Sequence, residues 1–139
     1  MYPASVATAQ SDPLSLRAWI ILVITGTALW AIGVALLRWL AAMDWLTGTA
    51  HIIVYALTVV GTVPLIPIGR IAAGLPPSET ARSVTVVSLT ALLIDGVVIG
   101  YFPWIYSADE ATARLCAGAL LWGVGIALAL GLIMQPHQR

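Results

Sequence analysis

One acidic residue, Asp95, lies within a long apolar stretch and is the only charged residue between Arg82 and Asp109. If residues 83–105 cross a bilayer as a helix, Asp95 lies near the middle of the span. A carboxyl group there costs about 2.5 to 3.5 kcal/mol on insertion scales, so it needs a hydrogen-bonding partner, a bound proton or a function. Asp95 is therefore the first candidate for an intramembrane functional site.

Two tryptophans are predicted at the depth of Asp95. Trp30 lies near the middle of the first apolar stretch, and Trp122 lies near the middle of the last. Tryptophan usually prefers the membrane–water interface, and an indole N–H in the core needs an acceptor. One hypothesis is that one or both indoles donate to Asp95. The other is that both are packing residues that face lipid or neighbouring helices.

Polar side chains also line one face of the second apolar stretch. They are His51, Tyr55, Thr58 and Thr62, whose spacing of four, three and four residues places them on one side of a helix. One hypothesis is a hydrated path that carries protons toward Asp95. The alternative is that the threonines bond to their own backbone, while His51 and Tyr55 anchor the helix at the interface.

The composition is that of a membrane protein, with 60% hydrophobic and 9% charged residues and a mean hydropathy of +0.99. Soluble domains contain about 25% charged residues. No basic block predicts binding to nucleic acid. Cys116 is the only cysteine, which excludes an internal disulfide and a cysteine-based metal site. Because no nucleophile–base pair, metal cluster or phosphate loop is recognisable, we predict no enzyme activity, no metal and no cofactor.

Four apolar stretches match the hydrocarbon thickness of a bilayer, since about 20 helical residues span about 30 Å. They are predicted at residues 18–38, 51–69, 83–105 and 112–134 of a single transmembrane domain, 17–135, between a flexible tail, 1–16, and a short tail, 136–139. Pro64 and Pro67 should kink the second span. The aromatic run from Tyr101 to Tyr106 is typical of a helix that meets lipid headgroups.

Short connections between four such spans predict an all-α fold, an integral membrane four-helix antiparallel bundle. The spans are too long and too uniformly apolar for barrel strands. Positive residues favour the cytoplasmic side of a membrane. With the amino terminus inside, four arginines lie on the cytoplasmic side and two, Arg38 and Arg114, lie outside. We therefore expect a multi-pass protein of the cell membrane with both termini cytoplasmic.

The fourth span carries small residues at four-residue spacing: Ala119, Gly123, Ala127 and Gly131. Such spacing lets another helix approach closely, so this helix is a candidate contact with a second copy or another membrane protein. A second pattern, Gly26-Trp30-Gly33, recurs as Gly118-Trp122-Gly125. If the recurrence is more than composition, it places two similar faces around the acid.

Four segments carry a resemblance to a known family. They are Trp30 to Arg38, Leu92-Leu-Ile-Asp95, Phe102-Pro-Trp-Ile-Tyr106 and Ala119-Leu-Leu-Trp-Gly-Val-Gly125. Together they resemble DUF5367, a family of small four-helix bacterial membrane proteins of unknown function, over most of the chain from Arg17 onward. The resemblance implies a bacterial inner-membrane protein and supplies no activity, ligand or catalytic residue.

Three functions are compatible with these features. The first, which we predict, is a structural or accessory membrane component. Its expected partners are membrane lipid and, through the fourth helix, a second copy of the chain or another membrane protein. The second is a small proton-linked transporter that uses Asp95. Small multidrug exporters also have four helices and a buried acid, but theirs lies in the first helix, where this chain has none. The third is a binder of an apolar ligand, such as a quinone or a lipid, lined by Trp30, Trp122 and Asp95.

Overall fold

The computed structural model describes residues 13–136, and within this range the chain is helical and contains no strand. Its α-helices are α1 Leu16–Ala42, α2 Gly48–Thr62, α3 Ile66–Ala72, α4 Thr80–Tyr101 and α5 Glu110–Ile133. Because α2 and α3 together form one span, the described chain has four spans. The predicted all-α four-helix bundle is confirmed. Residues 1–12 and 137–139, which include most of the predicted tails, lie outside the described residues.

Each of the four spans is long and apolar enough to cross a membrane, with a mean hydropathy between 2.0 and 2.4 in its best window. Large apolar side chains cover the outside of the bundle, including Ile24, Ile52 and Leu132. In water such a surface would drive aggregation, whereas in a bilayer it contacts acyl chains. The chain is therefore a multi-pass membrane protein.

The third span ends earlier than the sequence suggested, at Tyr101 rather than residue 105. Proline lacks the backbone N–H and disfavours helical geometry in the residue before it, so Pro103 keeps Phe102 out of the helix and α4 ends at Tyr101. A 3₁₀ turn, Pro103–Ile105, follows. Asp95 therefore lies six residues, or about 9 Å, from the end of α4 and not at the middle of its span.

The first helix is longer than predicted and begins at Leu16. The Ser15 side chain accepts a hydrogen bond from the backbone N–H of Ala18 at 3.2 Å, which caps this end. The predicted flexible tail therefore overlaps the first helix at one residue. At its other end α1 continues to Ala42, four residues beyond the predicted boundary.

The second span is interrupted by a 3₁₀ turn at its two prolines, where the sequence predicts a kink. After α2 ends at Thr62, a 3₁₀ turn, Val63–Leu65, contains Pro64, and α3 then begins at Ile66. The break lets the two halves of the span pack against different neighbours. α2 packs chiefly on α5, whereas α3 packs on α1 and α4.

α1 packs extensively against α4, and the two helices approach each other closely at Gly26. A Cβ atom at Gly26 would lie 2.7 Å from the backbone oxygen of Val87 and 2.9 Å from Cβ of Thr90. No side chain fits in that space. Gly26 therefore sets the distance between α1, which carries Trp30, and α4, which carries Asp95.

The small residues of α5 pack within the chain. Ala119 is buried, a Cβ atom at Gly123 would lie 3.4 Å from Thr58, and one at Gly131 would lie 3.0 Å from Val84. The stripe of Ala119, Gly123, Ala127 and Gly131 thus brings α2 and α4 close to α5. Contact with a second chain through this helix stays a prediction, and it would have to use the exposed face of α5.

Candidate functional site

Asp95 is sealed inside the bundle, with only 2% of its surface exposed. The Trp30 indole N–H on α1 donates a hydrogen bond of 2.6 Å to Asp95 Oδ1 on α4. The prediction that Trp30 points at Asp95 is confirmed. An indole N–H that would otherwise lack an acceptor in the apolar core is paired with the buried carboxyl group of Asp95.

A second donor, Tyr106, reaches the same carboxyl oxygen. The turn that Pro103 starts folds the chain back beneath the end of α4, so the Tyr106 hydroxyl donates to Asp95 Oδ1. Tyr106 is only 2% exposed. The sequence placed it among interfacial aromatics, and that placement is wrong for Tyr106, although Tyr101, Phe102 and Trp104 are exposed as expected.

The turn that carries Tyr106 is held by Arg38, near the end of α1. Its guanidinium donates to the backbone oxygen of Ile105 at 2.5 Å and more weakly to that of Trp104 at 3.4 Å. Trp30 therefore fastens α1 to α4, and Arg38 fastens α1 to the turn. We call Trp30, Asp95 and Tyr106 the Asp95 cluster. It ties together α1, α4 and the turn, while Asp95 Oδ2 is buried without a partner among residues 13–136.

The Tyr106 hydroxyl is expected to stay protonated in the folded protein beyond the pH at which free tyrosine ionises. Burial, and then its hydrogen bond to Asp95, raise the pKa of Tyr106 above its usual value of 10.0. A pKa raised on folding contributes stability that is present below pH 10 and is lost as pH rises through the folded value.

Ultraviolet absorbance of phenolate measures this directly. At about pH 10 to 11, folded wild type and Tyr106→Phe should have the same phenolate absorbance, and unfolding both should reveal one extra phenolate in the wild type. An excess of phenolate in the folded wild type at that pH would show that Tyr106 is not held as a protonated donor.

Trp122 does not point at the acid, so this half of the sequence hypothesis is wrong. Its indole N–H donates to the backbone oxygen of Tyr55 on α2 at 3.2 Å, and its ring stacks on that of Tyr55 at 5.5 Å. The reason is that α2 lies beside this face of α5. The two Gly-Trp-Gly patterns thus serve different contacts, and only that of α1 faces Asp95.

The polar face of α2 does not lead to Asp95 either. Thr58 donates to the backbone oxygen of Val54 at 2.8 Å, and Thr62 donates to that of Thr58 at 2.6 Å. The His51 ring packs edge-on against that of Tyr55, with 4.4 Å between the ring centroids. No hydrogen bond joins these side chains to Asp95 within the described part of the chain. The two threonine hydroxyls bond to the backbone of their own helix, as the alternative hypothesis stated.

An apolar cleft of about 540 Å³ lies between the spans. Its wall comes from all four spans, and on α1 it extends from Gly26 to Leu40. Leu36, Leu57 and Leu65 belong to this wall and are each more than 40% exposed, which opens the cleft to the surface of the bundle. We call this feature the lateral cleft.

Few polar groups face the lateral cleft. The hydroxyls of Thr58 and Thr62 are taken by their own backbone, and the indole N–H of Trp30 is taken by Asp95. Ser88, which is 4% exposed, keeps a hydroxyl that has no hydrogen bond among residues 13–136. Trp30 is the link between the two sites, because its ring lines the cleft while its N–H holds Asp95.

Searches with this chain found no significant match to a family model, a curated protein or a solved structure. The functional argument therefore rests on the contacts of this chain's own residues. Within residues 13–136 no group of three or more His, Cys, Asp or Glu side chains is placed to hold a metal ion.

Sequence reasoning missed the lateral cleft and the role of Tyr106. One signal of the cleft is Gly61, a glycine in the middle of an apolar span whose added Cβ would meet no atom within 4 Å. It leaves room beside α2 where a larger side chain would fill space. Tyr106 gave no such signal, because an aromatic residue after a helix is usually an interfacial anchor.

Proposed function

We propose that the protein is an accessory membrane component that binds an apolar molecule from the bilayer in the lateral cleft. The observation that carries the proposal is the cleft itself, about 540 Å³ of apolar-walled space inside four membrane spans. Ligand sites in proteins are typically clefts of roughly 300 to 1,000 Å³ with apolar walls and few polar groups. Of the ligands that the sequence suggested, this wall suits an apolar one.

The Asp95 cluster supports the cleft as a structural element. Asp95 fixes the ring of Trp30, which is part of the cleft wall, and it fixes Tyr106 below the turn that Arg38 holds. In this proposal Asp95 has a structural role, because it holds the side chains around the cleft, and the cleft binds the ligand. The proposed activity is binding without chemical conversion of the ligand.

A proton-linked transporter is less well supported by the same contacts. Such a protein needs water to reach its acid, whereas Asp95 is 2% exposed and both of its donors are themselves packed in the bundle. The polar face of α2 bonds to its own backbone and to α5, so it offers no path to Asp95.

The proposed setting is a bacterial inner membrane with both termini in the cytoplasm. The arginine distribution supports this orientation, with Arg17, Arg70, Arg82 and Arg139 on the cytoplasmic side and Arg38 and Arg114 on the other. The resemblance to the DUF5367 family supports the bacterial origin and adds no ligand. Both stay proposals.

A pair of phenylalanine variants tests the proposed function. Gly61 lines the cleft and Gly125 on α5 does not, yet neither would bring a Cβ within 4 Å of another atom. Gly61→Phe should fill the cleft without disturbing the backbone, and Gly125→Phe should add the same ring elsewhere. Native mass spectrometry from mild detergent should show a noncovalent adduct on wild type and Gly125→Phe that Gly61→Phe loses. Equal adducts on all three proteins would contradict binding in the cleft.

A further inference from the structure

We propose that the lateral cleft holds one acyl chain of a glycerophospholipid, whose headgroup lies against Trp39 and Trp45. This inference rests on the proposed function and names its ligand. Four membrane-length spans surround the cleft, so acyl chains are the medium into which it opens. The length of the cleft, its lining and the residues at one end each point to this occupant.

The cleft runs beside α1 for much of the length of that helix. From Gly26 to Leu40 its wall on α1 covers 15 residues, or about 21 Å from the first to the last at 1.5 Å per residue. A single hydrocarbon chain, the narrow and flexible component of the surrounding bilayer, can enter from the side where Leu36, Leu57 and Leu65 are exposed.

The length of the cleft also suits a lipid chain. Each leaflet contributes about half of the roughly 30 Å hydrocarbon core, so one acyl chain reaches about 15 Å into the membrane. The wall of about 21 Å accommodates that reach with its end at the headgroup level. The chain would lie along α1, against the ring of Trp30, which is part of the wall.

The lining favours a hydrocarbon chain over a quinone ring. A quinone head inside the cleft would bring two carbonyl groups that need donors, because a buried polar group without a partner is costly. Trp30, Thr58 and Thr62 have already used their donors inside the protein. Beside them Ser88 offers one hydroxyl, and the unpaired indole N–H groups of Trp39 and Trp45 lie only at the end of the cleft, so a quinone head further inside would lack donors whereas a hydrocarbon chain needs none.

One end of the cleft fits a phospholipid headgroup. Trp39 and Trp45 line this end and are 59% and 39% exposed, and neither indole N–H has an acceptor among the described residues. Tryptophans at the interface place such N–H groups among headgroup oxygens.

The test is a native mass spectrometry titration of delipidated protein in detergent. The probes are phosphatidylglycerol with two long chains and, in parallel, a ubiquinone with a short tail. Phosphatidylglycerol should bind one to one to the wild type, and Gly61→Phe should abolish this binding. The double variant Trp39→Phe, Trp45→Phe keeps an aromatic ring at each position but loses both N–H groups, so it should bind about tenfold more weakly. Trp104→Phe, an exposed tryptophan outside the cleft, should bind as the wild type does.

The possible results separate this inference from the proposed function. If ubiquinone binds more tightly than phosphatidylglycerol and Gly61→Phe abolishes its binding, the cleft is a ligand site and the phospholipid is the wrong ligand. If the double tryptophan variant binds phosphatidylglycerol like the wild type, the headgroup placement is wrong. If phosphatidylglycerol binds Gly61→Phe and wild type equally, the lipid lies outside the cleft and both proposals fall. Circular dichroism of each variant checks that its helices are intact.

Discussion

Replacing Asp95 with leucine is expected to destabilise the folded bundle by about 2 to 4 kcal/mol, because Trp30 and Tyr106 each lose their acceptor. A buried donor without a partner costs about 1 to 3 kcal/mol, although hydrogen bonds between membrane helices average nearer 0.6 kcal/mol. The larger cost per donor applies here because two donors share one carboxyl oxygen, and leucine offers no acceptor to either of them. In the reference state of inserted but separated helices, Asp95 lacks the donor from Trp30, which lies on α1, so the contact between α1 and α4 contributes to assembly of the helices.

Asparagine at the same position is the matched control. Its side-chain oxygen can still accept from both donors, so Asp95→Asn should stay within roughly 1 kcal/mol of the wild type. Unfolding with increasing mole fraction of sodium dodecyl sulfate, followed by tryptophan fluorescence, gives the free energy of unfolding of all three proteins. If leucine is as stable as asparagine, the cluster does not hold the bundle together, and Asp95 must be kept for another reason.

The sequence predicted the features that depend on local pattern. Apolar length gave four spans, because about 20 apolar residues match the bilayer core. Pro64 and Pro67 gave the break in the second span, because proline cannot continue the backbone hydrogen bonds of a helix. Burial of a carboxyl group and an indole N–H in the same apolar layer gave the contact between Trp30 and Asp95. Each of these follows from properties that the sequence shows directly, namely apolar length, the positions of proline and the few polar groups in apolar stretches.

The sequence could not predict which helices are neighbours. Trp122 and Trp30 have similar flanking glycines, yet Trp122 faces α2 while Trp30 faces α4. The difference comes from the order of the helices around the bundle. Short loops make consecutive helices antiparallel but do not determine that order. The role of Tyr106 depends on how a three-residue turn folds back beneath α4. The lateral cleft is a space between helices, so its position depends on how the helices pack and not on any local sequence pattern.

Trp30 joins the two halves of the functional proposal. Its N–H is held by Asp95, and its ring forms part of the wall of the lateral cleft. Any change that moves α1 relative to α4 therefore changes both the hydrogen bond and the shape of the cleft. The contact that sets this distance lies one turn earlier on α1, at Gly26.

Replacing Gly26 with alanine is expected to lower the free energy of unfolding by about 2 kcal/mol. The new Cβ would lie 2.7 Å from the backbone oxygen of Val87, and a backbone oxygen cannot swing aside as a side chain can. Inserting a methyl group into such a tight contact typically costs about 1 to 3 kcal/mol. α1 must move away from α4, which stretches the 2.6 Å bond between Trp30 and Asp95.

Gly96 on α4 provides a control, because alanine there should not lower the free energy of unfolding. It is exposed, and a Cβ there would meet no atom within 4 Å. Alanine favours a helix over glycine by about 1 kcal/mol, so Gly96→Ala should be neutral or stabilising in the same detergent titration. Nuclear magnetic resonance of the indole N–H groups gives a second readout, since the Trp30 signal should shift in Gly26→Ala and stay in place in Gly96→Ala. If both variants gain stability, the crossing at Gly26 is looser than the structure indicates, and helix propensity alone decides the outcome.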